Sequence, residues 1–254
     1  MRLLLVQPVL EAHPRADNLG AVRAAVRDAG VVPEPDDVLL LPEHWSFEQD
    51  GVRYRESIRT LARELGCHVV GGSQHEACEG GAVNAGVACT SDGTLVGRYE
   101  KLRPYATERE AVRAGRQLGE LEIAGRRVLV LVCADFWFAD LIQTATHLPD
   151  VVLVPALSVS RKPTPEYSRA LWRHLAVARA YEYGVYVGIS DWACASKVHV
   201  LSASGVGGFA DPTATDPAAL FVPIAGHVAV HALDFDRLDA FRTDRRQRGF
   251  FWKP

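Results

Sequence analysis

A cysteine at the end of an apolar segment is the first residue in this sequence that could carry chemistry. Cys133 follows residues 128–132, five aliphatic residues that predict a buried strand, and a helix is predicted to begin around Ala139. At such a strand-to-helix turn, backbone N–H groups and the helix N-terminus can stabilise an anion. These surroundings favour a thiolate nucleophile. A small cysteine buried in the core at a strand end is the alternative.

Glu43 and Lys101 lie at the ends of two other predicted strands. Glu43 follows the apolar residues 38–41 after one proline, and Lys101 closes the segment 96–101. A carboxylate beside a low-dielectric core can act as a general base, and an ammonium can stabilise a developing oxyanion. Taken singly, an exposed loop glutamate and a solvated surface lysine are the alternatives. Together with Cys133, they supply a base, a cation and a nucleophile.

The predicted strands and helices that must position these residues form βα units mixed with hairpins. This alternation indicates an α/β fold with a mixed sheet, either one doubly wound sheet or two stacked sheets covered by helices. The sequence has no linker, internal repeat or low-complexity tract, so one domain over residues 1–254 is expected. Strands are predicted at 3–6, 38–41, 69–70, 151–154 and 185–189, hairpins at 83–99 and 120–132, and helices at 18–29, 58–65 and 165–183.

The third predicted helix carries a candidate buried carboxylate. Leu171, Leu175 and Ala178 are spaced along one face, and Glu182 falls on the same stripe. A carboxylate on a buried face needs hydrogen-bonding partners. We therefore expect a structural hydrogen-bonding role for Glu182 ahead of a catalytic one.

Composition and charge exclude several classes of protein. The net charge of −3 gives no broad positive field for nucleic acid, and no apolar stretch approaches the roughly 20 residues that cross a bilayer. Five cysteines without a CxxC pair argue against a disulfide framework and a zinc site of the usual spacing. The first residues lack a signal peptide, so a cytoplasmic protein is expected.

The order of these motifs resembles the nitrilase superfamily of carbon–nitrogen hydrolases. Leu-Pro-Glu at 41–43, Tyr-Glu-Lys at 99–101 and Val-Cys-Ala-Asp at 132–135 follow the chain order of the family's Glu–Lys–Cys triad. Further segments that resemble the family are 71–73 with Asn84, 172–182, 185–187, 211–212 and 234–245. The resemblance therefore extends over nearly the full length.

The resemblance implies an α/β fold in the form of a four-layer α-β-β-α sandwich with two mixed sheets, assembled as a homodimer or larger homo-oligomer. It implies that Cys133 attacks a small amide-type substrate to form a thioester. Glu43 would act as the base, while Lys101 and the backbone N–H of Ala134 would hold the oxyanion. Neither a metal nor an organic cofactor is expected.

Members of this family often have a second glutamate that braces the lysine and substrate. It tends to lie about seven residues before a glycine, and Glu108 has this spacing to Gly115. Glu110 is the alternative, since it lies closer to the glycine, as in some branches. We expect Glu108 to be the second glutamate.

The residues after Cys133 depart in part from the amidase pattern. Asp135 and Phe138 fit it, whereas Ala134 and Trp137 stand where an aromatic residue and an arginine are common. Nitrile-cleaving members tend to carry Trp-Glu here, so this sequence favours amides. We expect Trp137 to shape a more apolar pocket, with core packing as the alternative, and Asp191 to add negative charge near it.

Other functions stay open at this point. An N-carbamoyl amidohydrolase or a nitrilase of the same superfamily would use the same triad. A Cys–His enzyme of the amidotransferase type would instead take His199, His227 or His231 as its base. A non-catalytic member of the fold would bind a ligand without turnover.

Overall fold

The computed structural model describes residues 1–160, 164–198 and 200–252. Its strands, in chain order, are β1 (Arg2–Val6), β2 (Val38–Leu40), β3 (His68–Val70), β4 (Gln74–Cys78), β5 (Gly81–Cys89), β6 (Leu95–Glu100), β7 (Val112–Arg113), β8 (Gly119–Ile123), β9 (Arg126–Val130), β10 (Val151–Pro155), β11 (Tyr186–Ser190), β12 (Lys197–Val198), β13 (Leu201–Ser202), β14 (Gly208–Ala210), β15 (Phe221–Pro223) and β16 (Val228–Ala232). The α-helices are α1 (Asn18–Asp28), α2 (Gly51–Leu65), α3 (Glu108–Ala111), α4 (Ala139–Gln143), α5 (Pro165–Tyr183) and α6 (Phe235–Gln247).

Most strands form two mixed sheets. The first has the order β16-β1-β2-β3-β5-β4, and β6 and β7 also pair with β5. The second has the order β15-β14-β11-β10-β9-β8. Each sheet has three neighbouring parallel strands, β1 to β3 and β9 to β11, flanked by antiparallel ones. The prediction of two mixed sheets is therefore confirmed.

Side-chain alternation along β1 shows how the layers stack. Leu3 and Leu5 belong to a core shared with β9, β10 and β11 of the second sheet, whereas Leu4 and Val6 pack with α1 and α2. On the far side, the second sheet packs against α4 and α5. Successive side chains of a strand point to opposite faces, so the order of layers is α-β-β-α. The predicted four-layer sandwich is observed.

Helix α5 has the predicted bounds but a different buried face. Trp172, Ala176, Ala180 and Tyr183 are buried against the second sheet. Leu171, which we expected inside, is exposed. Apolar residues occur on more than one side of this helix, so their spacing alone could not fix which side faces the sheet.

The expectation for Glu182 depended on the same wrong assignment of the buried face of α5. Its side chain is exposed, and its carboxylate lies 3.2 Å from the guanidinium of Arg179 one turn earlier. The expectation that Glu182 is buried is wrong, whereas its carboxylate does accept a hydrogen bond, from the guanidinium of Arg179. An exposed pair of this kind contributes little to stability.

Strand β4 is an element that sequence reasoning missed. The segment Gln-His-Glu-Ala-Cys contains no β-branched or aromatic residue, so its composition gives no strand signal. It forms a strand because its whole length pairs with the first half of β5, from Gln74 opposite Ala85 to Cys78 opposite Gly81. Tertiary pairing thus overrides weak local preference.

The helices of the described part of the chain do not include one that is both long and apolar enough to span a bilayer.

Candidate active site

Cys133 lies where the second sheet gives way to a tight turn. β9 ends at Val130, and a short 3-10 helix covers Cys133–Trp137. The backbone of Cys133 has φ 48°, a left-handed conformation that is uncommon outside glycine. Its Sγ is 3.8 Å from the carbonyl oxygen of Leu157, just beyond the end of β10. The strained turn therefore holds the thiol at the carboxyl edge of the parallel strands, as the sequence predicted.

Glu43 and Lys101 extend from the first sheet to the same place. Lys101 Nζ donates a hydrogen bond of 2.7 Å to Glu43 Oε1, and their side chains are 3% and 2% exposed. The Glu43 carboxylate lies near enough to the Cys133 thiol to raise its pKa, and Lys101 acts on the same thiol in the opposite direction. Backbone contacts fix this meeting of the two sheets, because the N–H of Glu43 bonds to Ala156 O at 3.2 Å. The three predicted residues are thus brought together.

Glu108 completes the charged cluster. Its Oε2 accepts from Lys101 Nζ at 2.6 Å and from the backbone N–H of Tyr105 at 3.0 Å. Glu110 is exposed on the other side of the same short helix. The geometry therefore favours Glu108, as the spacing to Gly115 suggested.

Asn84 bridges the two carboxylates, which sequence reasoning did not anticipate. Its Nδ2 donates to Glu43 Oε1 at 2.9 Å and to Glu108 Oε1 at 2.8 Å. The residue stands in the middle of β5, and its carbonyl accepts the backbone N–H of Lys101 at 2.8 Å. One asparagine thus positions all three charged side chains. A polar residue within a buried strand was the only available signal.

The electrostatics of the cluster suit a neutral thiol beside a carboxylate acceptor. Burial and the nearby Glu43 carboxylate raise the pKa of the Cys133 thiol well above its usual range, against the opposing effect of Lys101. Burial alone would lower the pKa of Lys101, but Glu43, Cys133 and Glu108 raise it above its usual value. The ammonium is therefore permanently charged, and its contacts with two carboxylates offset the cost of burying that charge.

A sequence profile described as carbon-nitrogen hydrolase matches residues 18–215. The chain belongs to this family. The predicted resemblance is thereby confirmed.

Several known proteins are similar to this carbon–nitrogen hydrolase. The 2-oxoglutaramate amidase of Bacillus subtilis (strain 168) is 26% identical over 165 residues, which cover 59% of this chain and 61% of that protein, less than two thirds of its length. An amidase from Nesterenkonia sp. AN1, in complex with acrylamide, superimposes with a TM-score of 0.71 at 19% identity, covering 98% and 97% of the two chains. Saccharomyces cerevisiae Nit3, of branch 10 of the nitrilase superfamily, has a TM-score of 0.76 at 20% identity, covering 96% and 93%. These structures show that the fold is shared.

A cavity of about 210 Å³ opens next to the group formed by Glu43, Lys101 and Cys133. His44 and Leu157 connect it to Glu43 and Cys133, since His44 is adjacent in sequence to the glutamate and Leu157 contacts the thiol. Its walls are mainly apolar with a few polar groups. The lining residues are Ala12, His44, Ser46, Phe47, Gln49, His75, Leu157, Trp192 and Val198.

The other residues predicted near the pocket have different surroundings. Ala134 is buried in the turn after Cys133. Trp137 is 42% exposed, packs edge-on against Trp172 with centroids 5.6 Å apart, and is not among the residues that line this cavity. Its role in substrate binding stays a prediction.

Asp191 is fully buried and acts as a brace. Its two carboxylate oxygens accept the backbone N–H groups of Ser158 at 3.0 Å and Val206 at 2.9 Å. Burial raises its pKa to about 7, against the effect of these N–H donors. The structure therefore assigns to Asp191 the anchoring of two loops, and the expected effect of its charge near the pocket stays a prediction.

Two of the three histidines considered as alternative bases have other contacts. His227 Nδ1 lies 3.0 Å from the carbonyl oxygen of Gln7, and His231 stacks on Phe209 with centroids 4.4 Å apart. His199 lies outside the described residues. Among the described residues, the histidines that approach the cluster are His44 and His75, neither of which the sequence singled out.

Asp135 holds the segment that carries Lys101. Its Oδ2 accepts the backbone N–H of Leu102 at 2.9 Å, and its Oδ1 accepts that of Arg103 at 2.8 Å. Burial raises the pKa of Asp135 to about 6, although both N–H donors and Lys101 oppose the shift. This carboxylate fixes the loop directly after the lysine, and so it is a positioning residue.

Proposed function

We propose that this protein is an amidase that hydrolyses a small, uncharged amide to a carboxylic acid and ammonia or an amine. One observation carries the proposal: Glu43, Lys101 and Cys133, far apart in sequence, meet beside a cavity open to a small molecule. Family membership supports the same reaction class. The roles of the individual residues belong to this proposal.

In the first half of the reaction, Glu43 accepts the proton of the Cys133 thiol, and the sulfur attacks the amide carbon. The oxyanion of the tetrahedral intermediate is held by the ammonium of Lys101 and the backbone N–H of Ala134. Glu43 then returns the proton to the departing nitrogen, and a thioester forms on Cys133. Proton transfer of this kind requires the thiol and the carboxylate to lie close together, and the effect of Glu43 on the pKa of Cys133 supports that proximity.

In the second half, Glu43 takes a proton from water, which attacks the thioester carbon and releases the acid and the thiol. Glu108 and Asn84 keep Lys101 and Glu43 in place throughout, through the contacts of 2.6 to 2.9 Å described above. The scheme uses protein groups and water alone.

The substrate class follows from the donors and the cavity. The ammonium and the N–H of Ala134 would stabilise a negative charge on oxygen, which an amide or a carbamoyl group develops and a nitrile does not. The mainly apolar walls favour an uncharged acyl group. The similarity to a 2-oxoglutaramate amidase makes ω-amides that carry a carboxylate the charged alternative to this class.

A substrate panel tests this proposal. We expect the wild-type protein to release ammonia from small neutral amides faster than from N-carbamoyl compounds or nitriles, with acid formed in equal amount. Ammonia would be measured by a coupled assay and the acid by NMR. Turnover of nitriles but not amides would contradict the amidase proposal, and absence of release across the panel would favour the non-catalytic alternative.

A pH profile tests the positioning role of Asp135. Protonation below about pH 6 gives one of its oxygens a hydrogen, so that this oxygen accepts the loop N–H less well. We expect kcat/KM to fall as the pH drops through this region. Asp135→Asn, a neutral mimic, should lose roughly tenfold or more at pH 8, because a hydrogen bond to a charged group contributes about 1.5–3 kcal/mol.

In the Asp135→Asn variant the decline near pH 6 should also be absent. A decline of unchanged midpoint in the variant would show that another group causes it. The similarly buried Asp191, which anchors different loops, provides a comparison through Asp191→Asn.

We also propose a homodimer or larger homo-oligomer. The outer face of α5 and the C-terminal segment form an apolar, aromatic surface that includes Tyr181, 46% exposed, and Phe250, 64% exposed. This surface lines an open groove of about 640 Å³. Exposed apolar surface of this kind is typical of protein interfaces. Light scattering that gave a monomer at all concentrations would contradict this assembly.

One domain over residues 1–254 and a cytoplasmic location complete the proposal. Pairing of β1 with β16 joins the two ends of the chain in one sheet, which supports a single domain. All five cysteines are free thiols, which fits a reducing compartment. Limited proteolysis that yielded a stable fragment without β16, or fractionation to another compartment, would contradict these two points respectively.

A further inference from the structure

Two histidines converge on the carboxylate of Glu108 beside the cavity. His75 Nε2 lies 3.1 Å from Glu108 Oε1, and His44 Nε2 lies 3.9 Å from the same oxygen. The imidazole rings are edge to face, with centroids 4.4 Å apart and an interplanar angle of 82°. One donor atom from each of the three side chains lies within 4.8 Å of the others. We call this group the His44–His75–Glu108 cluster.

The backbone holds both histidines in place. His44 has φ 54°, and its N–H donates to Ser73 O at 2.7 Å. His75 is in the middle of β4, directly opposite Asn84 of β5. Donors fixed by the backbone need little reorganisation to bind a ligand, which is the condition for a preorganised site.

We propose that this cluster binds a divalent transition-metal ion, with Zn²⁺ as the representative. Tetrahedral zinc with bonds of about 2.0–2.2 Å to nitrogen and oxygen places its ligand atoms about 3.3–3.5 Å apart. The separations of 3.1 and 3.9 Å from Glu108 Oε1 bracket this value, and all three donor atoms lie within 4.8 Å of one another, so the ligands must draw together to complete the tetrahedral geometry. Two imidazoles and one carboxylate are a donor set that suits zinc, copper or nickel better than magnesium or calcium.

The cavity supplies the remaining coordination position. His44 and His75 both line it, so an ion held between them faces an open space of about 210 Å³ where water can bind. A site with three protein ligands and an open fourth position is accessible to ions from solution. The cluster would therefore fill reversibly.

Metal binding would inhibit the amidase, and this part of the inference rests on the proposed function. Glu108 Oε1 now accepts from Asn84, and Oε2 accepts from Lys101. An ion on Oε1 displaces the Asn84 contact and brings two positive charges near the ammonium that must hold the oxyanion. It would also lie between two residues that line the cavity in which the proposed function places the substrate.

Binding is measured first, without any use of activity. Isothermal calorimetry with Zn²⁺ would use the Cys133→Ser protein, so that the nucleophilic thiol cannot supply the ligand. We expect one ion per chain, with affinity reduced at least about 100-fold by a further His75→Ala or His44→Ala change, since each removes one of three ligands. A further His147→Ala change, at an exposed histidine elsewhere, should leave the affinity unchanged.

Cobalt provides a second readout that does not depend on how the histidine variants fold. Co²⁺ in the Cys133→Ser protein should show the visible d–d bands of a tetrahedral site, without a thiolate-to-cobalt charge-transfer band. Equal zinc affinity in the His75→Ala protein, a thiolate band, or no bound ion would each overturn the proposed site.

Inhibition is measured second, on the wild type. Zn²⁺ should lower the amidase rate, EDTA should restore it, and the His75→Ala protein should need at least about 100-fold more Zn²⁺ for the same fractional loss. If the panel of amides gives no activity, the proposed function fails while the calorimetric result still decides the metal site. Bound zinc at the cluster with full amidase activity would overturn the inhibitory role.

Discussion

Ammonia release is expected to fall by at least about 10⁴-fold when Cys133 is replaced by alanine, because the covalent route disappears with its nucleophile. The remaining groups cannot substitute for the thiol. Glu43 and Lys101 are bound to each other at 2.7 Å and to their neighbours, so they would still bind the amide and polarise it without forming a thioester. Binding should therefore survive while turnover is lost.

The matched control is Cys78→Ala, the same chemical change at a partly exposed cysteine of β4. It should stay within about twofold of wild type, as substitutions away from a functional site usually do. Thermal unfolding would show that both variants are folded. Equal ammonia release by the Cys133→Ala protein and the wild type would remove Cys133 from the mechanism.

Replacement of Glu43 by glutamine is the second change with a large expected effect. The amide keeps the size of the side chain and can still accept hydrogen bonds from Asn84 and Lys101, but it cannot take a proton from the thiol. Loss of a general base slows a reaction by about 10²- to 10⁴-fold. Both acylation and hydrolysis of the thioester should slow, because the same carboxylate serves both.

Glu110→Gln is the control for this charge change. Glu110 is exposed and lies two residues from Glu108, so the same substitution there should leave kcat and KM close to wild type. Retention of more than about a tenth of the wild-type rate by the Glu43→Gln protein would show that another group is the base.

The residues of the candidate site that could be predicted from the sequence are those that follow a predicted strand. Cys133, Glu43 and Lys101 each follow a strand, and the carboxyl ends of strands in the two sheets meet at one place. Glu108 was predictable from its distance to Gly115, whose N–H bonds to the carbonyl of Lys101 at 2.8 Å and so ties the two segments together. These features depend on short stretches of chain with fixed local geometry.

The residues that were missed depend instead on pairing between distant segments. His75 comes to Glu108 because β4 pairs with β5, and β4 has no strand-forming composition. Asn84 bridges two carboxylates only through the register of β5. Asp191 was expected to add charge near the pocket, but its role as an anchor depends on Ser158 and Val206, which come from other loops. Such contacts are set by tertiary structure, which spacing in one sequence does not encode.

In the proposed mechanism, Cys133 carries the acyl group. Mass spectrometry of the Glu43→Gln protein detects this acyl group directly. An activated aryl ester of the acid whose amide is turned over should acylate the thiol, and without the Glu43 carboxylate the thioester should persist. The protein should gain the mass of one acyl group, on the peptide that contains Cys133. Release of the aryl alcohol with no acyl group on this peptide, or with the group on another residue, would contradict it.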